Sequence, residues 1–186
     1  MDAAFGWIGQ IFQTLLRLIP ALIVVPATHA GVAFVHGHRI KEWKPGLHWY
    51  WPIVTAYKTM ATVRQTQMIR SKVVMTKDLK TVIVGALVTY YVDDIVAALA
   101  TVADLPSDIM ERSMEAILAE VSENTLAETQ ADRVAFNKDL TDRVGKTLNG
   151  YGVQVIQAQL TEFAPCRAFA LTGHTAVGQY NLWTGF

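Results

Sequence analysis

Four kinds of side chain in this sequence could do chemistry, and their spacing decides what each is fit for. His36 and His38, with His48 further on, offer imidazoles; on a strand the first two would share one face, a spacing a zinc ion can use. No carboxylate or cysteine partner is evident beside them, so they read as solvated or capping groups, and no metal or other cofactor is expected. Cys166 is the single cysteine; it cannot form an internal disulfide and reads as a small buried hydrophobe. Ser71, Ser107, Ser113 and Ser122 lie in no nucleophile elbow, and Asp108, Glu111 and Glu115 read as the solvated face of a helix. The residue types therefore point away from an enzyme and toward place and architecture.

Composition agrees with that direction. A chain of 186 residues has room for one ordinary domain plus an appendage. Charged residues make up 17% and hydrophobic residues 52%, with a mean hydropathy of +0.25, a balance that leaves apolar surface for a bilayer or partner subunits. Sixteen basic and sixteen acidic side chains cancel, so no global field attracts nucleic acid, and a nucleic-acid partner is not expected.

The apolar surface is concentrated at the start. Ala3 to Leu16 is uncharged, Arg17 interrupts, and Leu18 to Val35 is uncharged again, broken by Pro20, Pro26, Thr28 and His29. Phe5, Ile8, Phe12, Leu15 and Ile19 fall on one helical stripe, widened by Trp7, Ile11, Leu16 and Leu18, while Gln10, Gln13 and Arg17 lie nearer the other side. Each run is short for a spanning helix, so a helix lying in the interface, or dipping in and turning at Pro20, fits as well as one that crosses. A cleaved signal peptide and a helix buried against protein are the other readings; Asp2 in place of an amino-terminal cation counts against the first. Arg39, Lys41, Lys44 and Lys58 follow the segment, which favours a body on the cytoplasmic side.

Gly31 to Pro52 joins this segment to the rest. Val24, Val25, Val32 and Phe34 have strand character, and Gly37 and Pro45-Gly46 mark turns. Trp43, Trp49 and Trp51, three of the chain's five tryptophans, then crowd together with Tyr50. Such rings suit a membrane-interface belt, with Trp49 and Trp51 as lipid contacts, and equally a packed aromatic corner of the domain.

From Tyr57 the texture is β. Thr59 to Thr66 and Lys72 to Met75 are strand-like, Thr76 to Lys80 is a polar turn, and Thr81 to Val92 carries apolar groups on both faces, as a central strand covered by helices does. Ile95 to Val102 reads as a short helix and the stretch after Asp104-Leu-Pro-Ser107 as a longer one, with Ile109, Met110, Met114, Ile117, Leu118 and Val121 inward. Glu128 to Asn149 reads as one further long helix with Val134, Leu140, Val144 and Leu148 inward, stopped by Gly150 and Gly152, and Val153 to Phe163 as a strand. Arg167 to Leu171 has helical character in an otherwise irregular tail. There Tyr180, Leu182, Trp183 and Phe186 are large anchors suited to docking on another copy or a partner, or on the domain itself.

The ordered set Gly31-Val32, Gly37, Lys44-Pro45-Gly46-Leu47-His48-Trp49, Pro52, Thr76-Lys77-Asp78, Thr81-Val82, Tyr90-Tyr91-Val92 and Tyr151-Gly152-Val153 resembles the SPFH (band 7) family of stomatin, prohibitin, flotillin and HflK/C. The resemblance covers about residues 22 to 165. It implies an α+β domain seated on a membrane, non-enzymatic, assembling side by side into a ring- or cage-like homo-oligomer that organises a membrane patch or regulates membrane-protein partners. The other reading it leaves is a structural ring subunit of a larger cellular or viral assembly. The family's long carboxy-terminal coiled coil is not expected, because the glycine-bearing tail sustains no heptads. The expected division is a membrane-associated hydrophobic segment at 1–28, an SPFH/band 7-like domain at 29–165, and a short tail at 166–186.

Overall fold

Period-two runs of β-branched and aromatic residues, punctuated by glycine, proline and aspartate, build the amino-terminal half as strands. A computed structural model describes residues 19–100 and 102–166. These form β1 (Ala21–Val25), β2 (His29–Val35), β3 (Arg39–Trp43), β4 (Gly46–Tyr50), β5 (Thr55–Ala61), β6 (Gln65–Met75) and β7 (Thr81–Val92). There follow α1 (Ile95–Ala100), α2 (Leu105–Glu123), α3 (Leu126–Ala131), α4 (Arg133–Thr147) and β8 (Val153–Pro165). All strand pairings are antiparallel, in sheets of order β1-β4, β3-β2-β5 and β6-β7-β8.

β7 is the central strand expected from its two-faced apolar pattern. Val82, Val84, Ala86, Val88, Tyr90 and Val92 are buried beneath the helices, and join Ile109, Ile117 and Val121 of α2 and Phe136, Leu140 and Val144 of α4 in the main core. Ala30 and Val32 of β2 belong to the same core, reached through α1, so the smaller sheet is attached to the larger body by buried apolar contact.

Two expected features of the helical region differ in the structure. The single helix over Glu128 to Asn149 is two, because Asp132 leaves helical geometry (φ −135°) and its side chain accepts from Val134 N and Ala135 N at 3.1 and 2.9 Å, capping a new helix. That break turns Val134 outward, 82% exposed, and gives the inward position to Phe136. The preceding helix α3 starts with a capping box between Thr125 and Glu128.

Gly152 is fixed by close approach. Its carbonyl accepts from Asp93 N and Asp94 N at 3.0 and 3.1 Å, its φ is +70°, and a Cβ there would lie 2.2 Å from the Asp94 carbonyl oxygen. The strand end of β7, the start of α1 and the entry to β8 thus share one glycine.

Arg143 joins α4 to α2, meeting Glu123 in a two-pronged pair at 2.7 Å and Glu120 at 2.9 Å. The turn Thr76 to Lys80 is tied to the helices through Asp78. Asp78 accepts from the Thr76 hydroxyl at 2.5 Å and Leu126 N at 3.3 Å and pairs with Lys80 at 2.9 Å. The Thr76 hydroxyl first, then Lys80, hold the Asp78 carboxyl down at about 2. A carboxyl lowered in the folded state stabilises above its unfolded value and loses that contribution as pH falls toward the folded one. Asp78→Asn is therefore expected to be less stable than the parent near neutral pH, with the gap closing as pH falls from about 4 to about 2. Urea denaturation midpoints across that range check it.

Candidate membrane-facing surface

The candidate lipid-contacting tryptophan Trp49 lies on β4, and strand geometry sorts it from its neighbours. Successive side chains of a strand point to opposite faces. His48 and Tyr50 point inward, where the Trp43 ring is stacked on His48 at 5.1 Å (2° between planes) and lies 5.6 Å from Tyr57 and 5.9 Å from Tyr50. Tyr50 meets Tyr57 edge-on at 5.1 Å, and His48 Nε2 is 2.6 Å from the Lys44 carbonyl oxygen. Burial, then the neighbouring Tyr57, raises the Tyr50 phenol above its ordinary value. Val25, Ala33 and buried Trp43 form the centre of this small core, with Ile23 and Tyr50 against it.

Everything opposite is outward. Leu22 pairs directly with Trp49, and Val24 with Leu47, so all four stand on one face of the two-stranded ribbon. They are 46%, 68%, 66% and 57% exposed. Ile19 before the ribbon and Trp51 and Ile53 after it are exposed as well. Arg39 and Lys41 pair with Val35 and Ala33 on the ribbon side of the β3-β2-β5 sheet, Lys44 lies in the turn before β4, and all three cations are exposed. Among the described residues none of them is in an ion pair.

The two readings of the tryptophan cluster thus divide between its members: Trp43 makes a packed aromatic corner, and Trp49 and Trp51 face outward. Leu22, Val24, Leu47 and Ile53 were not among the expected contacts, although the alternation Leu22/Val24 and Leu47/Trp49 signals them in the sequence. Phe5, Trp7, Ile8, Ile11, Phe12, Leu15, Leu16 and Leu18, and Tyr180, Leu182, Trp183 and Phe186, lie outside the described residues. Among the described residues no helix is long and apolar enough to cross a membrane, so they lend no support to an amino-terminal membrane segment. Ala21–Val25, placed by sequence in the segment ending at residue 28, is a strand that pairs with β4.

The histidines do not converge. His36 and His38 lie in the β2–β3 turn, not on a strand face: His36 adopts φ 51° and Gly37 φ 75°, and His38 Nδ1 is 3.1 Å from the His36 carbonyl oxygen. Among the described residues no three potential ligands cluster. Ser71 donates to Glu162, Ser107 to Asp104 and Ser122 to the Ala119 carbonyl, while Ser113 is buried without a partner. Cys166 is half-buried at the end of β8, where its N–H donates to the Thr81 carbonyl, rather than buried in the core.

Residues 23–170 match the SPFH domain / Band 7 family, and the chain belongs to that family. An uncharacterized protein of Archaeoglobus fulgidus is 26% identical over 156 residues, 84% of this chain and 63% of the relative. An uncharacterized protein of Methanocaldococcus jannaschii is 23% identical over 164 residues, 88% of this chain and 82% of the relative. The chain thus spans less than two thirds of the length of the first relative. SPFH proteins are in general non-enzymatic scaffolds of the stomatin and prohibitin kind and are typically membrane-associated.

The two faces of β4 predict opposite outcomes for two tryptophans. Trp43→Ala is expected to cost about 3–5 kcal/mol, as for a buried aromatic. Trp49→Ala should change stability by less than about 0.5 kcal/mol in the absence of lipid. Chemical denaturation of the two variants checks it.

Proposed function

We propose that this protein is a non-enzymatic membrane-associated scaffold whose β1–β4 ribbon lies against the lipid surface by its outer face. The observation that carries the reading is the outward row Leu22, Val24, Leu47 and Trp49, continued by Trp51 and Ile53. A contiguous exposed apolar patch marks an interaction site. Lipid is the occupant that its surroundings favour. Tryptophan is enriched at the bilayer interface, and the exposed cations Arg39, Lys41 and Lys44, in β3 and the turn that leads into β4, suit anionic headgroups, each adding about 1 kcal/mol. The patch also begins where the apolar amino-terminal sequence ends, so both would meet one membrane, with the body on the cytoplasmic side.

Scaffolding follows from the family, and side-by-side assembly into a ring or cage that organises a membrane patch or holds membrane-protein partners is the finer form proposed here. The β8 edge contributes little to strand-to-strand association. Asn137 Oδ1 accepts from Leu160 N at 3.1 Å, and the Thr141 hydroxyl accepts from Ala158 N at 3.0 Å, so side chains of α4 occupy the backbone groups another strand would need. Lateral contacts would then be made by side chains or by the β6 edge.

Flotation with vesicles of phosphatidylcholine and phosphatidylserine tests the lipid contact. The Trp49→Ser/Trp51→Ser double variant should bind about tenfold or more weakly, from the loss of two buried rings, and binding of the parent should fall with added salt. Equal flotation of the folded double variant and of a Val134→Ser control would count against the proposal.

A further inference from the structure

The β6-β7-β8 sheet ends in two edge strands, and they are treated differently. Side chains of α4 take backbone groups of β8, whereas among the described residues no hydrogen bond from outside the sheet reaches the backbone of β6. β6 also departs from strict alternation. Its ladder with β7 shifts between Ile69 and Lys72, so that Arg70 and Ser71 together stand opposite Gly85. Ile69 pairs with buried Ala86 and Lys72 with buried Val84, both on the helix side of the sheet. Unbroken alternation from Ile69 would send Arg70 and Lys72 to the other face. The bulge instead keeps both beside α2, where they line a groove of 290 Å³ with Met110, Met114 and Glu111. It is pinned from the far face, where Ser71 donates to Glu162 of β8 across Gly85; a Cβ at Gly85 would lie 2.9 Å from the Ser71 hydroxyl oxygen.

The groove thus combines three features. Met110 and Met114 are half-buried thioethers that adapt to more than one apolar shape. Arg70 and Lys72 are exposed, outnumber Glu111, and make no ion pair among the described residues. Alongside run the free N–H and C=O groups of a sheet edge, which another strand can satisfy in register and a lipid headgroup cannot.

We infer that the β6 edge receives an extended acidic segment of a partner protein, with carboxylates on Arg70 and Lys72 and an apolar side chain between Met110 and Met114. Charge complementarity selects this occupant over a second copy of the chain. Two β6 strands paired about a two-fold axis would bring only cations together, since Gln65–Met75 contains no acidic residue. The other edge strands supply no acidic segment: β1 and β4 contain no Asp, Glu, Lys or Arg, β5 carries Lys58 alone, and β3 sets Arg39 and Lys41 against Glu42. The occupant is therefore a different protein, and lateral contacts between copies fall to side chains elsewhere. The inference does not rest on the lipid contact of the ribbon.

Fluorescence anisotropy of the full chain with a labelled peptide of about ten residues, alternating glutamate and leucine, tests it. The parent should bind this peptide about tenfold more tightly than a lysine-leucine counterpart, and Arg70→Glu/Lys72→Glu should reverse the order. Amides of β6 should gain protection from hydrogen exchange when the acidic peptide is bound. Equal binding of the two peptides by the parent, an order that survives the charge reversal, or binding that leaves β6 unprotected would each overturn the inference. Flotation with phosphatidylserine vesicles and sedimentation of the free protein separate the other occupants, and both should be the same for the parent and the charge-reversed variant. Flotation lost in the variant would assign the cations to lipid, and self-association lost in the variant would assign the edge to a second copy; either result overturns the inference.

Discussion

The alternation of side chains along β4 is the constraint on which the character of this protein depends. Once the Trp43 ring is stacked on His48 and set against Tyr50, two consecutive inward positions of the strand are committed. Leu47 and Trp49 then have one direction left, away from the body. A slip of one residue would exchange the two sets and place the Trp49 ring where Trp43 needs a flat imidazole and a phenol. The register of β1 against β4 extends the consequence, adding Leu22 and Val24 to the outward row and Ile23 and Val25 to the inward one. Exposed apolar surface here is the by-product of a specific, well-packed inner face, which explains how a strand pair can carry it without collapsing onto the domain.

The rest of the molecule keeps that ribbon in place. The central strand β2 of the β3-β2-β5 sheet is buried on both sides, with Ala33 against the ribbon and Val32 against the main core. The main core in turn is held by β7 beneath α2 and α4, by the Arg143 bridge between those helices, and by Gly152, where three segments meet too closely for any side chain. Position therefore passes from the helical layer through a thin sheet to the outermost aromatic surface. Among the described residues the body is closed on its helical side and at the β8 edge, and open at the ribbon and at the face of the larger sheet away from the helices. A scaffold needs such open surfaces, and neither resembles a catalytic cleft.

Much of this was legible in the sequence because it rests on local pattern. The two-faced apolar run Thr81 to Val92 announced a central strand, and the turn residues around Pro45-Gly46 and Thr76 to Lys80 announced the strand ends. The ordered motifs carried the family. What was not legible depended on tertiary context or on a single cap. Asp132 reads as an ordinary polar residue within a helical pattern, yet its side chain satisfies two free amides and splits the helix, moving Val134 out and Phe136 in. His36 and His38 share a face only if the strand continues, and the left-handed residues at His36 and Gly37 end it. The tryptophans were seen as one group because proximity in sequence says nothing of facing; only the pairing of β1 with β4 separates Trp43 from Trp49.

Quenching of tryptophan fluorescence by brominated lipid, in variants that retain only Trp49 or only Trp43, measures that separation against a bilayer. With vesicles containing phosphatidylserine, Trp49 should be strongly quenched and Trp43 left nearly unaffected, since one ring stands on the outer face proposed to meet lipid and the other is enclosed by His48, Tyr50 and Tyr57. Equal quenching of both, or quenching of neither in protein that floats with the vesicles, would contradict the assignment of the outer ribbon face to the membrane.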